Sequence, residues 1–162
     1  MLALLTALGI VILDQWTKEW VRTAYALGES VQIFAGFLSF TYIRNTGAAW
    51  GMLQGQGVWL VLLSITMLLT LTIFRKTFLH DTFSHRISLG LMIGGIVGNL
   101  FDRIRIGYVT DFVDVYYRNS HFPAFNVADA AICVGVGIYI FSTTLEDLRA
   151  RRKASGSASG TP

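Results

Sequence analysis

The apolar positions of this chain gather into four long runs, Leu2–Leu13, Val58–Phe74, Ile87–Phe101 and Val127–Phe141, with polar connections between them. A helix needs about 20 residues to cross the hydrocarbon core of a bilayer. Only the second run approaches that length unaided. The first must draw in Asp14 and Gln15, the third must approach Asp102, and the fourth already holds Asp129 near its start. Those polar residues therefore belong to the spans themselves. The pattern predicts an all-α integral membrane protein with four transmembrane helices, at about 2–20, 57–74, 87–103 and 126–143.

The first outer connection has a different texture. Val31-Gln32-Ile33 and Phe37–Ile43 are rich in β-branched and aromatic residues and lie between glycine-containing turns. They predict a small extracytoplasmic β-sheet between helices 1 and 2, at about 28–52, resting on the membrane. In the third span Gly90, Gly94 and Gly98 recur every four residues, which permits close helix–helix approach. Met1–Leu13 lacks the basic n-region of a cleaved leader and reads as a retained span. Residues 1–153 form one membrane domain on this reading, and 154–162, rich in Gly, Ser and Ala, a disordered tail.

Four spans place both termini on one side. That side also receives the connection Arg75–Arg86, with three Lys/Arg in 12 residues, and Arg149, Arg151, Arg152 and Lys153. The opposite side spreads six Lys/Arg over two longer connections. By density of positive charge the termini are cytoplasmic. The outer ends of all four spans then converge in one layer. Asp14, Asn45, Asn99, Asp102, Asp111, Asn126 and Asp129 lie at or near them.

Composition supports the membrane reading: 53% of residues are hydrophobic and 14% charged, too little charge for the surface of a soluble domain. The net charge of +3 is not organised into a basic, aromatic-lined groove, so nucleic acid is not an expected partner. The single Cys133, expected buried in mid-span, excludes an intramolecular disulfide framework and a Cys-based zinc site. His80 and His85 fall on the cytoplasmic side, His121 stands alone, and no H-E-x-x-H occurs, so no metal is expected. A G-x-S-x-G nucleophile elbow is missing as well.

What remains is carboxylate chemistry. Two carboxyl groups hydrolyse a peptide if they share one proton: the ionised one takes a proton from water, and the protonated one hydrogen-bonds the scissile carbonyl. Asp129 can pair with Asp111 or with Asp114, and spacing does not choose between them. Purely structural roles compete for each residue. Asn126 and Asp129 have the spacing of a capping box, Asp14 and Lys18 that of an i,i+4 ion pair, and Asp102-Arg103 that of an interfacial anchor. None of these explains the grouping on one face. A proton-coupled carrier would need carboxylates through the depth of the membrane, and the cytoplasmic halves of the spans have none.

Five blocks carry a resemblance: Asp14-Gln15-Trp16-Thr17-Lys18; Arg44-Asn45-Thr46-Gly47-Ala48-Ala49-Trp50-Gly51; Gly98-Asn99-Leu100-Phe101-Asp102-Arg103; Val109-Thr110-Asp111-Phe112; and Phe125-Asn126-Val127-Ala128-Asp129-Ala130. In this order, across roughly 10–135, they resemble the lipoprotein signal peptidases (signal peptidase II). The resemblance implies a membrane aspartic endopeptidase of the bacterial cytoplasmic membrane. Its substrates would be diacylglyceryl-modified prolipoproteins, cut just before the lipidated cysteine near the outer face. Asp111 and Asp129 would be the catalytic pair. Asp14, Lys18, Asn45, Gly47, Asn99, Asp102, Arg103 and Asn126 would line the site and shape substrate binding. Membrane lipids and globomycin-type cyclic peptide inhibitors are the other implied partners, and no cofactor is implied. Trp50, Phe112, Phe125, Ile10 and Leu13 are available as apolar walls for the lipid.

Overall fold

The computed structural model describes residues 1–75 and 82–158, the last five as backbone. Residues 76–81, which include His80 and half of the basic connection, lie outside the described residues. Four helices occupy the four apolar runs: α1 (Leu2–Ala24), α2 (Gly57–Ile73), α3 (Phe83–Ile106) and α4 (Val127–Ala158). Two are long and apolar enough to cross a membrane, α3 and the stretch Val127–Lys153 of α4, while α2 is a shorter apolar helix. α1 has the length, at 23 residues, but carries Asp14, Lys18, Glu19 and Arg22 within it. α4 continues through Ala158, past the tail boundary expected at Ala154.

The sheet departs from its expected place. Strands β1 (Ser30–Phe34) and β2 (Leu38–Asn45) come from the connection between α1 and α2, but β3 (Val109–Tyr117) and β4 (Ser120–His121) come from the connection between α3 and α4. The four pair in the order β1-β2-β3-β4, each neighbour antiparallel. The fold is therefore helical with a small antiparallel sheet, not all-α with a sheet confined to one loop. β3 was obscured because Asp111 and Asp114 interrupt its apolar positions. A bulge in β2 between Phe40 and Ile43 sets the register that pairs Ile43 with Asp111 and Asn45 with Val109. The Asn45 side chain thereby reaches Asp111.

α3 is the central helix and packs against the other three. The Gly90/Gly94/Gly98 stripe is its contact with α1. A Cβ at Gly90 would lie 2.6 Å from the Ala3 carbonyl oxygen, one at Gly94 2.8 Å from that of Ala7, and one at Gly98 2.6 Å from Asp14 Oδ2. The helices meet backbone to backbone, and the last glycine opens the space that holds the Asp14 carboxylate. Under the sheet, Val21, Tyr42 and Phe112 form a buried apolar cluster, which takes Phe112 away from the role of cleft wall. Leu4, Leu8 and Ile12 on α1, Val58 and Trp59 on α2 and Phe141 on α4 point outward. Exposed apolar area on this scale marks a lipid-facing surface.

Gly94→Ala is expected to destabilise the fold by about 1–3 kcal/mol, the cost of overpacking a tight contact. The check is thermal unfolding in detergent. Gly9→Ala, where an added Cβ meets nothing within 4 Å, is the control, expected neutral or up to ~1 kcal/mol stabilising. Equal midpoints for the two variants would show that the glycine stripe is not tightly packed.

Candidate active site

The site forms where the C-terminal end of α3, the start of α4 and strand β3 meet. Asp129 stands in the first turn of α4 because Asn126 caps that helix. The Asp129 N–H donates to Asn126 Oδ1 at 3.0 Å, and the Asn126 N–H donates back to Asp129 Oδ2 at 3.2 Å. This is the reciprocal capping box that the spacing predicts. It also aims the carboxylate, whose other oxygen accepts from Asn99 Nδ2 at 2.7 Å.

Asp111 and Asp114 lie three apart on β3, so their side chains leave opposite faces of the strand. Asp111 is 2% exposed and turns into the cleft. It accepts from Asn126 Nδ2 at 2.7 Å and Asn45 Nδ2 at 2.8 Å. Asp114 turns the other way, to His121 Nδ1 at 2.8 Å and Thr41 Oγ1 at 3.3 Å. The pleat thus brings Asp111, and not Asp114, to the cleft that Asp129 lines. Burial, with the charge of Asp129 beside it, raises the Asp111 carboxyl to about 7, against the pull of the two amides and of Lys18. A pKa raised in the folded state makes its stability contribution complete below the ordinary carboxylate range, and that contribution is lost as pH rises through about 7.

Both carboxyl groups face one cleft of about 390 Å³. Asn45, Asn99 and Arg103 supply its polar lining. Arg103 donates to the Gly47 carbonyl at 3.0 Å and the Asn99 carbonyl at 3.4 Å, tying the Gly47–Trp50 turn to α3. Gly47 has no room for a side chain: an added Cβ would lie 2.6 Å from the Met52 carbonyl oxygen. The apolar walls are Trp50, Phe122, Phe125 and Ile132 among others, and the Trp50 and Phe122 rings meet edge-on at 5.9 Å. Trp50 holds a left-handed backbone (φ 61°, ψ 20°).

Several expected residues lie elsewhere. Asp14, Lys18 and Asp102 are at most 1% exposed and sit behind the cleft wall as an ion-pair cluster. Asp102 also accepts from the Thr110 N–H at 3.2 Å, which binds β3 to α3 and is no interfacial anchor. Ile10 and Leu13 do not line the cleft. Cys133, expected buried, is exposed and does line it, four residues after Asp129 on the same helical face. Ile132 and Cys133 could have been found from Asp129 by the i+3, i+4 rule; Phe122 and Pro123 sit in a turn with no periodic signal. Among the described residues no three His, Cys, Asp or Glu side chains gather into a metal-holding group.

A helical membrane scaffold with a cleft that sets two carboxyl groups between apolar walls describes a class of membrane enzymes. A structure described as a bacterial membrane enzyme, solved by the in meso method at 2.3 Å resolution, matches with a TM-score of 0.79 and 34% identity, covering 90% of this chain and 88% of that one. A second, at 1.9 Å, matches with a TM-score of 0.77 and 33% identity, covering 87% and 91%. The family model described as "Signal peptidase (SPase) II" matches residues 6–145. The lipoprotein signal peptidase of Anoxybacillus flavithermus is 41% identical over 159 residues, 98% of this chain and 95% of the relative. That of Halalkalibacterium halodurans is 40% identical over 155 residues, covering 94% and 98%. That of Shewanella loihica is 38% identical over 151 residues, covering 91% and 86%. The chain belongs to the signal peptidase II family.

Proposed function

We propose that this chain is an aspartic endopeptidase of the bacterial cytoplasmic membrane. It removes signal peptides from diacylglyceryl-modified prolipoproteins by cutting just before the lipidated cysteine. The observation that carries the reading is the pair Asp111 and Asp129 on one cleft, bridged by Asn126, which donates its side-chain N–H to the one and its backbone N–H to the other. Both termini lie in the cytoplasm and the cleft near the outer face, where a signal helix and its acyl chains present the scissile bond. Four spans cross the bilayer, with Lys18 of α1 paired to both Asp14 and Asp102 in the interior rather than exposed to lipid.

Hydrolysis follows from the protonation states. With its carboxyl raised to about 7, Asp111 holds a proton below neutrality and donates it to the scissile carbonyl oxygen. Ionised Asp129 takes a proton from water as the water oxygen bonds to the carbonyl carbon. The tetrahedral diol then collapses: Asp129 passes its proton to the departing amine nitrogen, the C–N bond breaks, and a diol hydroxyl returns a proton to Asp111. The amides of Asn45, Asn99 and Asn126 hold both carboxyl groups through this exchange. The cleft walls receive the small residues beside the cut, and a globomycin-type cyclic peptide would compete there.

The direct test is incubation of the purified chain with a diacylated prolipoprotein peptide, reading the product masses. One cut before the modified cysteine supports the reading; no cut, or a cut elsewhere, overturns it. The pH profile is a second expectation. Catalytic efficiency should fall as pH rises through about 7, because Asp111 then loses the proton it must donate. A flat profile from pH 6 to 9 would remove Asp111 from the role of acid.

A further inference from the structure

Lys18 is fully buried, and the three hydrogens of its ammonium meet three acceptors: Asp14 Oδ2 at 2.8 Å, Asn99 Oδ1 at 2.9 Å and Asp102 Oδ2 at 3.1 Å. No donor is left for a substrate. The two carboxylates account for neutralising a buried charge. The bond to Asn99 serves something else.

An ammonium only donates, whereas a side-chain amide has one accepting and one donating end. Lys18 therefore dictates which way the Asn99 amide faces. With its oxygen held by Lys18, and also accepting from Asn126 Nδ2 at 3.2 Å, Asn99 must turn its NH₂ to Asp129. A flip would set NH₂ against the ammonium and an oxygen against the Asp129 carboxylate. The order passes on. Asn126, whose Oδ1 is taken by the Asp129 N–H, gives its NH₂ to both Asn99 and Asp111. One buried cation thus stands at the root of hydrogen bonds that reach both carboxyl groups.

We infer that Lys18 is a positioning residue for hydrolysis: it fixes the polarity of the Asn99 amide and, through it, the seating of Asp111 and Asp129, without touching substrate. This rests on the aspartic reading above and replaces the binding role expected for Lys18 from the sequence. Lys18 acts on turnover and not on affinity.

The test compares Lys18→Met with wild type on a diacylated prolipoprotein peptide. Lys18→Met/Asp102→Asn, which preserves the buried net charge, serves if the single variant does not fold. The expected result is a loss of about 10²-fold in kcat, the scale of a slightly misplaced catalytic group, with KM within twofold of wild type. In an Asn99→Ala background the same change at Lys18 should cost nothing further, because the path it acts through is gone. A raised KM with kcat preserved, or losses that simply multiply, would overturn the inference. A readout without catalysis separates it from the proposed function. The chain has four asparagines, so ¹⁵N-asparagine labelling resolves the Asn99 side-chain NH₂. Its exchange protection should drop at least tenfold in the folded Lys18 variant. Unchanged protection would sink the inference, whereas wild-type inactivity would count against the peptidase reading alone.

Discussion

Asp111→Asn and Asp129→Asn are each expected to yield a folded protein that cleaves at least about 10³-fold more slowly than wild type, within the range that general acid–base groups contribute. An amide can neither give up a proton to the carbonyl oxygen nor take one from water. Folding survives for a reason visible in the site. Asn retains one acceptor oxygen, so each variant keeps at least one of the hydrogen bonds that end on the carboxyl group. Loss of the charged cap at 129 costs about 1 kcal/mol, small against the stability of a domain. Asp114→Asn is the internal control. Its partners are His121 and Thr41 on the far face of the sheet, so it should retain most of its activity. If the variant at 111 turned over at the wild-type rate while that at 114 was dead, the catalytic loop residue would be the wrong one.

Removing the diacylglyceryl group from the substrate is expected to lower kcat/KM by at least about 10²-fold, mostly through KM. A cleft of about 390 Å³ sits at the lower end of ligand-site volumes and suits the residues flanking a cut, not two long acyl chains as well. On the proposed reading the chains would instead lie along apolar helix surface such as that of α4, where Ile132 lines the cleft and Val136, one turn on, is exposed. Each methylene transferred from water contributes about 0.8 kcal/mol, so four or five match a loss of two to three decades. Matched peptides with and without the lipid, at equal detergent concentration, decide the matter. Equal efficiency for both would mean that the site reads peptide sequence alone.

The parts of this architecture that were legible in the sequence are those governed by period. The helices announced themselves as apolar runs, the glycine stripe by its four-residue repeat, and the Asn126–Asp129 cap by its spacing. What escaped was set by pairing across sequence. β3 did not read as a strand because two carboxylates break its apolar pattern, yet both are buried with partners supplied by other elements. Spacing alone does not separate Asp111 from Asp114; the resemblance of the Val109–Phe112 block selects Asp111, and the extended chain between the two turns their side chains to opposite faces. Lys18 passed for a ligand-binding side chain because nothing local shows that Asn99 and Asp102 lie within 3.1 Å of it. The cleft wall at Phe122–Phe125 belongs to a turn that positions side chains without repeating them.

The capping box at the start of α4 ties two kinds of selection together. Asp129 fastens the first turn of its helix through Oδ2, one of the two carboxylate oxygens that, on the proposed mechanism, would accept the proton of the attacking water. A proton arriving there would turn a hydrogen bond to a carboxylate into a weaker bond to a neutral acid, so the cap would be weaker at that step of the proposed cycle. A change to a side chain with no acceptor is therefore penalised twice, in chemistry and by about 1 kcal/mol in folding, whereas asparagine, which keeps an acceptor, is penalised mainly in chemistry. A lineage no longer needing the reaction would then be free to exchange the acid for asparagine while its architecture still asked for a capping side chain, and such a vestige would keep the shape of the site without its chemistry.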